Sequence, residues 1–315
     1  MNEPQNIYVR AYALPLKWKP KKSHSRRNPP KWEDHALIFD SECRLTDQSL
    51  TFGFWRFCEL RQGRYVALEE GILLNDTDEL TDKEIRIISE FAKRNKADTA
   101  DDGNDHIRVY SRSKFLREVL GLAIQAKAFI VCFNAGFDLS RIAVDWKTAK
   151  NGGWSLIFFQ WRDPKTGQLK PIKCFPRIVV KALNSKTSVI HSTRPPLFEP
   201  RTKDEKVPHR PAARFLDLRT LLWSLRNRSY SLESACKEFK TEHQKIDHKP
   251  TGKVTVEELK YARNDVACTV DLLNAVKREF DLHPIAAGPD RMFSPASMAK
   301  SYLEELHILH PSEKV

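Results

Sequence analysis

The chain has 315 residues, of which 41% are hydrophobic and 10% aromatic, so a disordered polypeptide is excluded and one large or two small globular domains are predicted. A formal net charge of +12 favours a polyanionic partner; nucleic acid is the usual one and an anionic lipid surface is the alternative. No apolar run approaches the roughly 18 residues of a membrane span, no signal peptide is recognisable, and the six cysteines are scattered. We therefore expect a cytoplasmic protein with reduced thiols and no membrane partner.

Residues 1–34 are predicted to form an extended basic arm. Within them, residues 15–32 contain seven Lys or Arg and four Pro but no acidic residue, a composition that cannot build a core. Two interpretations stay open for this arm. Either its basic side chains contact phosphates, for which the candidates are Lys21, Lys22, Arg26 and Arg27, or it is a solvated tail.

The first half of the remaining chain predicts three strands followed by helices around a fourth strand. Alternating and continuous apolar runs mark the strands, and Thr81-x-x-Glu84 is a capping box that begins a helix. The elements predicted in order are strands 36–42, 50–58 and 64–68, a helix after Thr81, a loop over 96–106, a helix over 113–125, strand 129–133 and a short helix starting near Phe137.

The second half predicts further strands and then long helices. Residues 154–191 are strand-like, with a hairpin formed by 177–183 and 187–190, and residues 192–211 are a loop rich in proline and charge. Strand 212–216 leads into a helix that Asp217 caps. Thr255-x-x-Glu258 is a second capping box, and Ser294-Pro295 begins a final helix. These elements predict an α/β protein in which helices pack on a mixed sheet.

Four carboxylates lie next to predicted strands or on a predicted helix, in positions that suggest a shared site. Asp40 and Glu42 end the apolar run 36–39, and Asp138 follows the apolar run 129–133. Asp265 lies four residues after Tyr261 on a helical pattern, so these two side chains share a face. Clusters of oxygen ligands suit Mg²⁺ or Mn²⁺, and two such ions can clamp both ends of a phosphodiester displacement.

These residues form an ordered set of motifs that resembles a known family. Asp40-Ser41-Glu42, then Asn134-Ala135-Gly136-Phe137-Asp138, then Tyr261-x-x-x-Asp265 look like the three motifs of the DEDDy 3′–5′ exonucleases, in particular the proofreading domains of family-B DNA polymerases. Segments 215–221, 229–236 and 294–303 are similar to stretches of family-B-like polymerases of phages and mobile elements. The resemblance covers about residues 35–310. It implies a ribonuclease-H-like fold over residues 35–285, followed by a C-terminal helical segment, 286–315.

The resemblance also implies metal-binding roles for the acids. Asp40 would bridge two divalent cations, Mg²⁺ or Mn²⁺, while Glu42 and Asp265 would complete the site of the ion beside the attacking water. Asp138 would support the second ion. Tyr261 would orient the water through its hydroxyl group. The histidine subclass of this superfamily would carry His at position 260, which is Lys260 here, so the tyrosine subclass is predicted.

Further residues are predicted to contact nucleic acid. Asn134 and Phe137 would hold the terminal nucleotides, although Phe137 can equally be a core residue. The family often places a threonine after the first-motif glutamate, where this chain has Cys43 followed by Arg44, and we expect Arg44 to contact the strand. Members also use a lysine upstream of the third motif. The sequence leaves four candidates for it: Lys237, Lys240, Lys245 and Lys249.

The leading functional hypothesis is a metal-dependent 3′–5′ exonuclease that hydrolyses DNA, with single-stranded 3′ ends as the expected substrate. Its expected protein partners are a polymerase or a replication or defence factor. Two alternatives stay open. One is a nucleic-acid-binding module with weak or no catalysis, and the other is an exonuclease that degrades RNA, since the fold hosts both chemistries.

Overall fold

The computed structural model of the protein describes residues 31–76, 79–100, 106–150, 152–184, 187–199, 201–202, 204–209 and 212–306. The arm residues Lys21, Lys22, Arg26 and Arg27 lie outside this range. The strands are β1 His35–Cys43, β2 Leu50–Arg61, β3 Arg64–Leu74, β4 Arg108–Ser111, β5 Phe129–Cys132, β6 Asp145–Thr148, β7 Trp154–Ile157, β8 Gln160–Arg162, β9 Leu169–Pro171, β10 Ile178–Ala182, β11 Ser188–Ser192 and β12 Arg214–Asp217.

Helices flank these strands, so the chain is an α/β protein as predicted. The helices are α1 Asp82–Arg94, α2 Arg112–Phe115, α3 Gly121–Gln125, α4 Ala135–Ile142, α5 Leu218–Arg226, α6 Leu232–Phe239, α7 Val256–Asp281 and α8 Pro295–Glu305. A π-helical turn, Leu116–Leu120, joins α2 to α3. None of the helices in the described part of the chain combines the length and the apolarity that a membrane span requires.

The main sheet is mixed, with the strand order β12-β5-β1-β2-β3-β4. β1 pairs in parallel with β5, which pairs in parallel with β12, whereas β1, β2 and β3 are antiparallel neighbours and β4 runs parallel to β3. β1 is thus an interior strand of the sheet. A second sheet has the order β11-β10-β7-β6.

The alternation of side chains along β1 decides where its acids point. Ala36 and Ile38 belong to a core that includes residues of α7, while Leu37 and Phe39 belong to a core on the opposite face of the sheet, shared with α4 and β10. Because successive side chains of a strand point to opposite faces, Asp40 and Glu42 continue the row of Ala36 and Ile38. They therefore face the side on which α7 packs.

A buried ion network holds α7 against the main sheet. Glu70 on β3 accepts hydrogen bonds from Arg56 on β2 and from Arg263 on α7, with the closest contact 2.6 Å from Arg263 Nη2 to Glu70 Oε2. Glu70 and Arg56 are almost completely buried. Removal of one partner from such a network would leave a buried charge without compensation. Displacement of α7 would remove Arg263 from Glu70 in the same way, so the network holds α7 against the sheet.

The structure confirms most predicted elements and corrects several. Thr81, Asp217 and Ser294 cap helices as predicted, and the hairpin of β10 and β11 forms. Thr255 caps α7, but the predicted reciprocal bond from the Glu258 side chain is wrong: that carboxylate accepts from Thr251 instead, at 2.7 Å from its hydroxyl group. Strand β4 and the π-helical turn were not predicted.

The close approach of β2 and β3 at Gly71 generates a test of the packing. A Cβ atom added there would lie 2.4 Å from two ring carbons of Trp55, which is completely buried and has no room to move. We expect Gly71→Ala to lower the free energy of unfolding by about 1–3 kcal/mol, as overpacking usually does. The measurement is denaturant unfolding, with Gly136→Ala as the control, because its added Cβ would meet Val180 at an ordinary 3.4 Å. Equal stability of the two variants would contradict this packing.

Candidate active site

The four predicted carboxylates lie in one cleft of about 540 Å³. Asp40 and Glu42 come from the end of β1, Asp138 from the first turns of α4 and Asp265 from α7. We call it the acidic cleft; its lining consists of Asp40, Ser41, Glu42, Phe133, Asn134, Phe137, Asp138, Arg219, Ser229, Tyr230, Ser231, Leu232, Lys245, Tyr261 and Asp265. The structure thus brings together side chains separated by more than two hundred residues.

Asp138 is held by the strand that carries the first two acids. Its Oδ1 accepts hydrogen bonds from the Ser41 amide at 3.1 Å and from the Ser41 hydroxyl group at 2.8 Å. Its Oδ2 is buried and has no hydrogen-bond partner among the described residues, and the same holds for Asp265 Oδ1. Asp138 and Asp265 are only 1% and 4% exposed. Two buried carboxylate oxygens without a partner are unfavourable unless a cation or a proton compensates them.

Of the four candidate lysines, Lys245 is the one that lines the acidic cleft. Its Nζ donates to Asp265 Oδ2 at 2.6 Å and lies 4.7 Å from the ring centre of Tyr261. Lys237 instead pairs with Glu233 on α6, and Lys240 and Lys249 are exposed outside the cleft lining. The loop between α6 and α7 therefore supplies one positive charge to a cleft dominated by negative ones.

Burial and mutual repulsion disfavour the charged forms of the acids. Desolvation raises the pKa of Asp40 well above its ordinary value, and the charges of Asp138, Glu42 and Asp265 raise it further. Desolvation together with Asp265 raises the pKa of Glu42 to about 8. Desolvation likewise raises the pKa of Asp138 to about 7, against the lowering effect of the Ser41 hydrogen bonds. The pKa of Asp265 is raised by burial, while Lys245 opposes that shift.

The donor set fits hard divalent cations. Each acid offers only oxygen, which suits Mg²⁺ and Mn²⁺ better than softer ions, and a cation would satisfy the orphaned oxygens of Asp138 and Asp265. Within the described ranges, no three His, Cys, Asp or Glu side chains are gathered closely enough to form a ready-made metal cluster. Asp265 Oδ2 is engaged by Lys245, so this oxygen would have to exchange partners to ligate an ion.

The predicted nucleic-acid contacts divide into two groups. Asn134 and Phe137 line the acidic cleft, and Phe137 is half-buried beneath Arg141, whose guanidinium carbon lies 4.6 Å from the ring centre, so it is not enclosed in either core. Arg44 does not line the cleft, since its guanidinium is bound to Glu84 and to the Glu79 carbonyl. Its contact with a strand stays a prediction.

Arg219 in the lining of the cleft and His248 beside Tyr261 were not predicted from the sequence. Arg219 enters the lining because α5 starts directly after β12, beside the end of β5. His248 packs on Tyr261, with ring centres 5.1 Å apart, and its Nε2 lies 3.2 Å from Glu258 Oε1. The segment between α6 and α7 contains several basic residues, and the sequence gives no indication of which of them turns towards the cleft.

A scan against models of known protein families and a search of curated proteins both returned no match for this chain. The interpretation of the site therefore depends on its motifs and its geometry.

The raised pKa values predict how stability depends on pH without metal. The pKa of Glu42 is about 8 in the folded chain against an ordinary 4.5, so between these values the folded protein holds a proton that the unfolded chain has released. Unfolding stability in EDTA should consequently fall as pH rises from 5 to 8, by up to about 1.4 kcal/mol per pH unit for each such carboxyl. Thermal or denaturant unfolding across this range measures it.

Glu42→Gln should flatten that slope, whereas Glu90→Gln, on the exposed face of α1, should leave it as in the parent protein. Addition of Mg²⁺ should raise the melting temperature more at pH 8 than at pH 5, because the ion competes with protons for the same oxygens. A slope that is identical in the parent protein and in Glu42→Gln would contradict the assignment of this proton to Glu42.

Proposed function

We propose that the chain is a metal-dependent 3′–5′ exonuclease of the DEDDy type, with a ribonuclease-H-like fold, acting on single-stranded 3′ ends of DNA. The observation that carries the proposal is the convergence of Asp40, Glu42, Asp138 and Asp265 in one cleft together with Tyr261. The order of these residues in the chain matches the order of the family motifs. The 3′–5′ direction and the preference for DNA rest on the family resemblance.

The four carboxylates would hold two divalent cations, which, when bound, would neutralise charge on the phosphodiester and make water more acidic near neutral pH. Carboxylates repel phosphate when they are ionised and offer it no positive charge when they are protonated, so without cations a purely binding function gains little from this residue set. The unpartnered oxygens of Asp138 and Asp265 support the same interpretation.

Tyr261 is suited to orient water and not to remove its proton. Burial raises the pKa of its hydroxyl group to about 12, and the adjacent charge of Asp265 contributes to this shift. A tyrosine with such a pKa is protonated at neutral pH and can donate and accept hydrogen bonds, but it is a poor base. Lys245, which is bound to Asp265 beside it, would place a positive charge where the phosphodiester charge develops in the transition state.

Asn134 and Phe137 are placed to hold the end of the strand. The Asn134 side chain is exposed at the start of α4 and caps no helical amide, so its amide group is available to a ligand. The Phe137 ring faces the same cleft and offers a surface for a base. Both positions lie within the motif that also supplies Asp138.

The direct test is degradation of 5′-labelled single-stranded DNA in Mg²⁺ or Mn²⁺. We expect a ladder that shortens from the 3′ end and is abolished by EDTA and by Asp40→Ala, since the loss of several kcal/mol of charge stabilisation lowers the rate by about 1,000-fold or more. A matched RNA oligonucleotide identifies an exoribonuclease if it is degraded faster. DNA that stays intact but bound would contradict the exonuclease and leave the binding module as the function.

A second prediction concerns Lys245. Replacement by Met keeps the length of the side chain but removes the charge next to Asp265, and we expect turnover of DNA to fall by about 100-fold. Lys249→Met is the matched control, since Lys249 is an exposed lysine four residues further along the same loop. The measurement is single-turnover degradation across pH. A Lys245→Met variant that works as fast as Lys249→Met would exclude a role for this charge.

A further inference from the structure

A second cavity, of about 700 Å³, opens between α4 and the four-stranded sheet. Neither Tyr261 nor any of the four acids of the acidic cleft lines it. We call it the tryptophan cavity and define it by Trp146, Trp154, Phe137, Arg141 and Arg219. Its volume lies within the range of about 300–1,000 Å³ that is usual for ligand sites. Of these five residues the proposed hydrolysis uses only Phe137, so the other four require a separate explanation.

One face of the four-stranded sheet provides the aromatic wall. Trp146 on β6 is paired with Leu156 on β7, and Thr148 is paired with Trp154. Because residues two apart share a face, Trp146 and Trp154 are diagonal neighbours on the same side of the sheet. They are 58% and 49% exposed, which is unusual for two indole rings lining one cavity. The pair thus presents two exposed indole rings on one side of the sheet, where a ligand can reach them.

Two arginines supply positive charge to the cavity. The Nε atoms of Arg141 and Arg219 are buried and have no hydrogen-bond partner among the described residues. A buried N–H group without an acceptor is costly, so an acceptor brought by a ligand would be stabilised there. Phosphate oxygens and base carbonyls are acceptors of this kind.

The acids of the cavity are already engaged within the protein. Asp217 accepts from Ser188 Oγ at 2.9 Å and from the Thr220 amide at 3.2 Å. Asp145 accepts from Gln160 Nε2 at 3.0 Å and from the Trp146 amide at 2.8 Å. Among the described residues, the buried polar atoms of the cavity that lack a partner therefore belong to its arginines, which favours a ligand that carries acceptor oxygens.

The tryptophan cavity and the acidic cleft adjoin each other. Asn134, Phe137 and Arg219 line both of them. Because the two sites share these residues, a flexible chain whose end occupies the acidic cleft could continue past Phe137 into the cavity. The net charge of +12 favours a polyanion as that chain.

We propose that the tryptophan cavity binds unpaired bases of the strand whose 3′ end is held in the acidic cleft. Bases stack on Trp146 and Trp154, and the backbone or base oxygens accept hydrogen bonds from Arg141 and Arg219. This inference rests on the proposed exonuclease function for the position of the strand end. Stacking is tolerant of sequence but requires free base faces, so the cavity selects single strands over duplexes without reading sequence.

The test is equilibrium binding of 5′-fluorescein oligothymidylates of increasing length in EDTA, with Asp40→Ala as the parent so that no strand is degraded. Trp146→Ala/Trp154→Ala should weaken binding by at least about tenfold, and the loss should grow with oligonucleotide length. Trp146→Phe/Trp154→Phe keeps two rings and should restore most of the affinity. The matched control is Trp161→Ala on β8, a 45% exposed tryptophan that is not part of the cavity lining.

The outcomes separate this inference from the proposed function. Affinity of the double alanine variant equal to that of Trp161→Ala would overturn the strand site, even if the labelled DNA is degraded as expected. Loss of binding to thymidine monophosphate without loss of oligonucleotide binding would also overturn it, because the cavity would then hold a free nucleotide. A protein that degrades no DNA but shows the length-dependent loss would disprove the exonuclease and retain the strand site.

Discussion

Repulsion among four carboxylates at the end of β1 is the constraint on which the rest of the structure depends. Asp40, Glu42, Asp138 and Asp265 disfavour one another's charged forms, and burial adds to the penalty. Among the residues that the structure describes, only Lys245 brings a compensating positive charge into contact with one of them. Such an arrangement lowers the free energy of unfolding. It persists because contacts elsewhere in the fold hold these residues in position. Sites of this kind are where proteins concentrate perturbed pKa values for chemistry.

The scaffold resists this repulsion through contacts that lie outside the cleft. Alternation along β1 anchors each flanking residue in a separate core, so the strand cannot slip by one residue without exposing a row of apolar side chains. The network of Arg56, Glu70 and Arg263 fixes α7 two residues before Asp265. Ser41 ties α4 to β1 through Asp138. Each acid is thus attached to a rigid element by a neighbouring residue, which is how a fold preserves an unfavourable cluster.

Much of this could be predicted from sequence because the signals are local. The apolar runs before Asp40 and Asp138, and the four-residue spacing of Tyr261 and Asp265, are readable from periodicity, and the helix caps are readable from residue type. Lys245 could not be selected among four lysines, since only the path of the loop between α6 and α7 decides which one turns inward. The tryptophan cavity could not be predicted either, because Trp146 and Trp154 become neighbours only through the pairing register of β6 with β7. Glu258 satisfied the pattern of a capping box, yet the Thr251 hydroxyl group and amide provide it with better partners in the folded chain.

The two adjoining sites differ in the groups that they offer to a nucleic acid strand. Without cations the acidic cleft offers little attraction to the strand that it is proposed to cut, because its acids either hold protons or, when ionised, repel phosphate. The tryptophan cavity offers arginine donors and stacking surfaces that need no cation, so a strand can be held beside the cleft before the acids are neutralised. Asn134, Phe137 and Arg219 line both sites, so the proposed strand would pass from one site to the other beside the starts of α4 and α5. Affinity would then be determined mainly in the cavity, where the arginine donors and the exposed indole rings lie, and dependence on divalent cations mainly in the cleft, where the four acids lie.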